Sequence, residues 1–240
     1  MTTRTVVVTG AAGGIGRVVA ERLAADGYHV VALDRQGSER EFDVTDERQW
    51  RALAATFDTP VHGLVNCAGI TRRARLDEVT VADMTDAYAV NVLAPLLAIQ
   101  ALTPVMSPGS AIVNIGSIAA LTGHYPVAYT TSKWALRGLT HTAALALGEH
   151  GIRINIVHPG FIDTPMTESA PAPFRSASIG ETALARAGTA DEVAGTVAFL
   201  LGADSTYLTG AEITVDGGAS SHGGVKSISD ALRPEPQEHK

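Results

Sequence analysis

A short apolar run that stops at a cluster of glycines constrains this chain more than any other feature. Thr5-Val6-Val7-Val8 is continuous, not alternating, and it ends at Thr9-Gly10. Such a run reads as a strand buried on both faces, as in a parallel sheet. Gly10-Ala11-Ala12-Gly13-Gly14-Ile15-Gly16 follows, then Arg17 to Ala25 with helical periodicity, closed by Gly27. His29-Val30-Val31-Ala32-Leu33 is a second buried strand with Asp34 at its end. Strand, glycine turn, helix and strand make a βαβ unit.

The alternation continues. Thr45 or Asp46 can cap a helix running to Phe57. Val61 to Val65 is a strand that leads into Asn66-Cys67-Ala68-Gly69. A helix is expected from Val81 to about Leu102 despite Pro95, then a strand from Ser110 to Ile115. A helix ending near Glu149, a strand from Arg153 to Val157, a helix from Asp191 to Leu201 and a strand from Ala211 to Val215 complete the pattern. It predicts an α/β fold: a Rossmann-type doubly wound parallel sheet, three layers deep, with ligands at the carboxyl ends of the strands. One domain is expected over residues 1–218. Within it, residues 163–188 are rich in Pro, Ser, Thr and Ala and read as a mobile substrate lid. Residues 219–240 read as a polar tail, weakly ordered or docked on a neighbouring subunit.

Composition narrows the class. The net charge of −7 argues against a nucleic-acid partner. The single cysteine, Cys67, excludes an internal disulfide and a cysteine-based zinc site, and the histidines are scattered, so no metal is expected. No membrane span and no signal-peptide pattern are read, and a reducing cytoplasm is the expected location.

Three groups carry chemistry. Gly10, Gly14 and Gly16 let backbone N–H groups and a helix N-terminus approach a pyrophosphate. Asp34 stands where a carboxylate binds the adenosine ribose hydroxyls and repels a 2′-phosphate. NAD is therefore expected over NADP, with Arg35 leaving room for some NADP. Tyr129 and Lys133 lie four apart at the start of a helix, so they share one face. An ammonium beside a phenol favours the phenolate, so the tyrosine is expected to titrate below its usual pKa and to exchange a proton with an alcohol or carbonyl. Ser117 ends a strand and can hydrogen-bond the substrate oxygen.

Taken together, the G-x-x-x-G-x-G loop, Asn66 to Gly69, Asn91, Ser117 and Tyr129-Thr130-Thr131-Ser132-Lys133 resemble the classical short-chain dehydrogenase/reductase family over residues 4 to 218. The resemblance implies Ser117, Tyr129 and Lys133 as a catalytic triad, with Asn91 as a fourth member relaying protons to solvent. It implies a cofactor site of Thr9, Gly10, Gly14, Ile15 and Gly16 at the phosphates, and Asp43 and Val44 beside the adenine. Asn66, Ala68 and Gly69 belong to the segment that steadies the sheet and lines the adenosine ribose. Pro159, Gly160, Ile162 and Thr164 match the segment at the nicotinamide carboxamide. Tyr207-Leu208-Thr209-Gly210 and Asp216-Gly217-Gly218 resemble the family's C-terminal signature. Cys67 stands where asparagine is commoner, Ala94 replaces a frequent glycine, and the Ser117-to-Tyr129 gap of twelve is one shorter than in many members.

The expected activity is hydride transfer between NAD and a small secondary alcohol or ketone. Gly69-Ile70-Thr71-Arg72 also resembles reductases of 3-oxoacyl thioesters. A dinucleotide-sensing module without turnover would be expected to lose the Tyr–Lys pair, which this chain keeps. Arg72, Arg73 and Arg75 are read as a solvated loop in preference to a contact for an anionic substrate. Met166, Phe174 and Ile179 are candidate apolar contacts from the lid. His124 and Tyr125 are candidates to face substrate, and His158 either lines the site or serves the structure. Helices near 81–102 and 130–150 are apolar on more than one face, which implies a homo-oligomer; by the family resemblance, a tetramer or dimer built on them.

Overall fold

A computed structural model describes residues 4–38 and 40–233 of the chain. Among the described residues seven strands form one parallel sheet in the order β3-β2-β1-β4-β5-β6-β7. They are β1 (Thr5–Thr9), β2 (His29–Asp34), β3 (Arg40–Glu41), β4 (Val61–Asn66), β5 (Met106–Ile115), β6 (Arg153–Pro159) and β7 (Glu212–Val215). The helices are α1 (Gly14–Ala25), α2 (Glu47–Ala54), α3 (Val81–Tyr88), α4 (Ala94–Leu102), α5 (Val127–Gly148), α6 (Pro165–Glu168), α7 (Ala172–Gly180), α8 (Ala190–Leu201) and α9 (Lys226–Ala231).

The continuous apolar runs are continuous because both faces of the sheet are covered. In β1, Val6 and Val8 pack with Val19 and Leu23 of α1 and Val193 and Val197 of α8, while Val7 packs into the opposite core with Trp50, Leu64 and Leu102. All of these side chains are fully buried. Strand order reverses direction between β1 and β4, the switch point at which a crevice opens beyond the strand ends in folds of this kind.

Local signals set the helix boundaries. Asp46 caps α2 by accepting the Arg48 N–H, and the helix ends at Ala54, short of Phe57. Capping boxes start α3 at Thr80 and α8 at Thr189. The expected helix over 81–102 is interrupted by a π-helical turn, Ala89–Leu93, where Ala94 N–H reaches back five residues to the Ala89 carbonyl. Pro95 has no N–H to give the Asn91 carbonyl, so the α-helical ladder cannot run through this point unbroken. The stretch Val81–Val105 is, against expectation, long and apolar enough to cross a membrane, with a mean hydropathy of 1.5. Here it serves the core: Ala94, Ala98, Ile99 and Leu102 are buried against the sheet.

Two segments differ from expectation. The polar connection after β2 contains the edge strand β3, two residues long, paired with Leu33 and Asp34. The lid region holds α6 and α7, and the tail folds back as far as residue 233. His222 Nε2 meets the Glu181 carbonyl oxygen at 2.9 Å, and Ser220 donates to Asp216. Residues 234–240 of the tail lie outside the described residues.

Candidate active site

The ends of β1, β2, β4, β5 and β6 converge on a cleft of about 680 Å³. On one wall stands the glycine loop. Gly10 has φ +69°, and a Cβ there would lie 2.8 Å from the Ala68 nitrogen. At Gly16 a Cβ would lie 2.1 Å from the Gly10 carbonyl oxygen, so α1 can start this close to β1 only with glycine. Gly13 opens onto free space and a Cβ at Gly14 would meet only Thr164, at 3.9 Å, leaving the α1 N-terminus accessible to an anion. Asp34 is held facing this loop: Oδ2 accepts the Ala12 N–H at 3.0 Å and Oδ1 the Arg35 N–H at 2.7 Å. Asp43 accepts from Thr45 through both backbone and hydroxyl, and these bonds hold its carboxyl below the usual range. Glycine cradle, helix N-terminus and end-of-strand carboxylate fit a dinucleotide.

The chemistry-bearing wall lies across from it. Ser117 Oγ accepts the Ala119 N–H at 3.1 Å, and its own hydroxyl hydrogen-bonds the Tyr129 phenol. Lys133 is buried, and Nζ donates to the Ile115 carbonyl at 2.8 Å. Burial pushes its pKa down to about 8, against a small opposing effect of Cys67. The ammonium lies 5.8 Å from the Tyr129 ring centroid. The phenol corrects the expectation from spacing: burial pushes its pKa up, and only the hydrogen bond with Ser117 pulls the other way. In this state desolvation outweighs the Ser117 hydrogen bond.

Of the expected site residues, sixteen line the cleft: Gly10, Gly14, Ile15, Gly16, Asp34, Asp43, Val44, Ala68, Gly69, Ser117, Tyr129, Lys133, Pro159, Gly160, Ile162 and Thr164. Three lie behind its wall. Thr9 Oγ1 accepts the N–H groups of Cys67 and Ala68, both at 3.1 Å, and so shapes the β4 turn. Asn66 donates to Asn114, which donates to Thr140 on α5, tying sheet to helix. Asn91 braces two elements at once: it exchanges bonds with the Ile70 backbone at 2.9 and 3.0 Å, and donates to Ser132 Oγ, which itself donates to the Tyr129 carbonyl.

His124 and Tyr125 do not line the cleft. They form an aromatic cluster with Phe174 of α7, which also meets Phe161. Of the three lid residues named as apolar contacts, Met166 alone lines the cleft. Arg72 lines it too, but paired with Asp86 at 2.9 Å. Arg73 reaches the lid, donating to the Met166 carbonyl at 2.9 Å and to Ser169 Oγ at 3.1 Å.

His158 is fully buried behind Ser117. Its Nδ1 lies 3.3 Å from the Ser117 nitrogen and 2.9 Å from the Ser117 oxygen, and Nε2 lies 3.1 Å from Glu212 Oε2. Burial holds the imidazole below its ordinary pKa, against the Ser117 backbone and the Glu212 charge. Burial would raise the Glu212 carboxyl, but Arg137 and His141 outweigh it and hold it low. No spacing rule pairs residues 158 and 212; only the β6–β7 register brings them together, with His158 opposite Thr214.

The fold and site define a Rossmann-type oxidoreductase with a dinucleotide cleft. A family model described as enoyl-(acyl carrier protein) reductase matches residues 10–220. The (3R)-3-hydroxyacyl-CoA dehydrogenase of Rattus norvegicus is 36% identical, over 88% of this chain and 94% of its own length. The 3-alpha-(or 20-beta)-hydroxysteroid dehydrogenase of Mycobacterium bovis is 34% identical over 95% of each. Among solved structures, a putative 2-deoxy-D-gluconate 3-dehydrogenase from Agrobacterium tumefaciens with bound NADP superposes with a TM-score of 0.84 at 31% identity, over 91% of this chain and 96% of that one. The chain belongs to the short-chain dehydrogenase/reductase family, oxidoreductases that act on hydroxyl groups of their substrates.

Proposed function

We propose that the protein interconverts a secondary alcohol and its ketone, with Tyr129 as the acid–base group and NAD preferred over NADP. The observation that carries this reading is the meeting of Ser117, Tyr129 and Lys133 on one wall of the cleft, opposite the glycine loop. A nicotinamide dinucleotide held along Gly10, Gly14, Gly16 and Asp34 supplies the hydride acceptor or donor. Ser117, its oxygen already satisfied by Ala119, donates to the substrate oxygen. Tyr129 gives that oxygen a proton or takes one from it. A phenol raised by burial is poised as the acid, which suits reduction. The Lys133 ammonium, mostly charged at neutral pH given its pKa of about 8, favours the phenolate that oxidation requires.

Removing the hydroxyl separates this enzyme from a sensor that only binds dinucleotide. Tyr129→Phe should lower turnover by about 10²- to 10⁴-fold while NADH still binds. Unchanged turnover would sink the acid–base role.

Cofactor choice rests on Asp34, since a carboxylate at the end of the second strand favours the ribose hydroxyls and repels a 2′-phosphate. The wild type should show a KM for NADPH at least about tenfold above that for NADH, a gap of about 1.4 kcal/mol. Asp34→Ser should narrow it, because Arg35 remains beside the site. The Agrobacterium neighbour holds NADP, so the opposite ratio is the outcome that overturns this preference.

A second reading, reduction of 3-oxoacyl thioesters, is favoured by the hydroxyacyl-CoA relative. Absorbance assays over cyclic and aliphatic alcohols, ketones and a 3-oxoacyl thioester decide between the two.

A further inference from the structure

The group behind Ser117 has no part in binding or proton exchange as described above, yet it is built with care for polar contacts. His158 sits on β6 with no exposed surface. Gly116 makes room for it: a Cβ there would lie 2.6 Å from His158 Nδ1. On the far side, Glu212 of β7 faces the ring. Glu212 is itself flanked from α5 by Arg137, whose Nε lies 2.7 Å from Oε2, and by His141, whose Nε2 lies 2.9 Å from Oε1. Glu212, Arg137 and His141 are the charged and titratable groups that face this histidine directly or through the carboxylate.

The donor and acceptor inventory limits what the ring can do. An ionised Glu212 only accepts, so it holds a proton on Nε2. Nδ1 faces two groups of one residue, the Ser117 N–H and the Ser117 carbonyl. As a neutral ring, His158 can use Nδ1 only to accept from the N–H. As a cation it donates from Nδ1 to the carbonyl. Both partners lie within reach, at 3.3 and 2.9 Å.

We propose that His158 and Glu212 are positioning residues for Ser117: Glu212 locks the proton on His158 Nε2, and gain or loss of the Nδ1 proton switches His158 between the carbonyl and the N–H of Ser117. The switch turns the backbone on either side of Ser117 and so moves the hydroxyl that holds the substrate oxygen. It rests on the reading of Ser117 given above. Misplacing such a group by about 1 Å can cost about 10²-fold in rate.

The test combines ring nitrogen NMR with kinetics. In the ¹⁵N-labelled wild type, His158 should keep Nε2 protonated at every pH, with Nδ1 titrating at the midpoint of an acid limb in kcat. Glu212→Gln, whose amide can donate as well as accept, should admit the Nδ1-protonated neutral ring. It should also lower kcat by about 10- to 100-fold with little change in NADH affinity. Glu212→Asp should recover most of that loss, and His158→Asn should abolish the acid limb. A merely structural pair would change stability without moving the pH profile. Neutral wild-type His158 protonated on Nδ1, or a Glu212→Gln variant with wild-type kcat and pH profile, overturns the proposal. The NMR result on the wild type decides the question even if Glu212→Gln fails to fold. It needs no substrate, so absence of alcohol turnover would count against the proposed reaction and not against the switch.

Discussion

Two glycines three residues apart do different work in the same loop. At Gly16 the nearest atoms to an added Cβ are backbone, Gly10 oxygen at 2.1 Å and Gly10 carbon at 2.7 Å, and backbone cannot swing aside. Gly13 has extended backbone, φ −155°, which any residue adopts, and no atom lies within 4 Å of its Cβ position. Gly16→Ala should therefore cost about 1–3 kcal/mol and abolish cofactor binding, because α1 must move away from the phosphate turn. Gly13→Ala should leave stability close to wild type. Thermal unfolding together with an NADH fluorescence titration separates them, and equal effects at both positions would contradict the close-packing account. The sequence shows three glycines at a suggestive spacing but not which of them meets backbone. It likewise places Tyr129 and Lys133 on one face but not at what depth, and depth is what turns the tyrosine's shift upward.

At the scale of elements, the lid is tied down from the opposite side of the cleft. The loop after β4 carries Arg73, whose guanidinium reaches the Met166 carbonyl and Ser169 around α6. Asp163 grips Arg175 of α7 through two contacts, at 2.5 and 3.1 Å. Because these bonds are exposed, Arg73→Ala should cost the closed lid only about 1 kcal/mol, or about fivefold in its population. The expected result is a several-fold higher substrate KM with NADH affinity unchanged, and faster limited proteolysis near residues 163–180. Unaltered KM and cleavage would show that Arg73 does not hold the lid. The sequence offered Arg73 only as part of a solvated cluster, since its partners lie more than ninety positions away. Elements set by local rules were legible: the apolar run, glycine turn and capped helix give β1, α1 and β2 directly. The edge strand β3 was not, because two polar residues become a strand only by pairing with β2. Nor was the π turn, where Pro95 marks the place but the extra residue that aims Asn91 at Ile70 and Ser132 has no sequence signature. Local spacing likewise revealed Gly10, Gly14, Gly16, Asp34, Ser117, Tyr129 and Lys133, and the family resemblance supplied the rest of the expected residues in the cleft wall. His158 with Glu212, and Thr9 and Asn66 behind the wall, depend on which strands become neighbours.

For the whole molecule, part of the apolar surface left exposed among the described residues falls in two groups on the helices. Trp134 and Leu145 lie eleven residues apart on α5, three turns, and so on one side of that helix; Leu93 is exposed in the neighbouring π turn. Leu145 is 81% exposed, on the helix whose other side carries the buried Lys133. Phe199 of α8 and the fully exposed Tyr207, in the connection from α8 to β7, form the other. Leaving large apolar side chains in water wastes about 25 cal/mol per Å² that a partner would recover, and a stable interface needs about 800 Å² from each chain. We expect a homo-oligomer with the α4–α5 face as one contact, and a tetramer if the α8–β7 face is used as well. Light scattering on the purified protein should then report a mass of at least twice 24.9 kDa, and a monomer would end the proposal. Leu145→Glu should dissociate the first contact by placing a charge in its centre, while a charge at an exposed position of a monomer would change little. The glycine loop, Asp34, Ser117, Tyr129 and Lys133 meet in one cleft, and the dissociated variant should still bind NADH. If it loses cofactor binding instead, the oligomer contributes to the site, and α5, which carries Tyr129 and Lys133 on its inner side, is the element through which it would act.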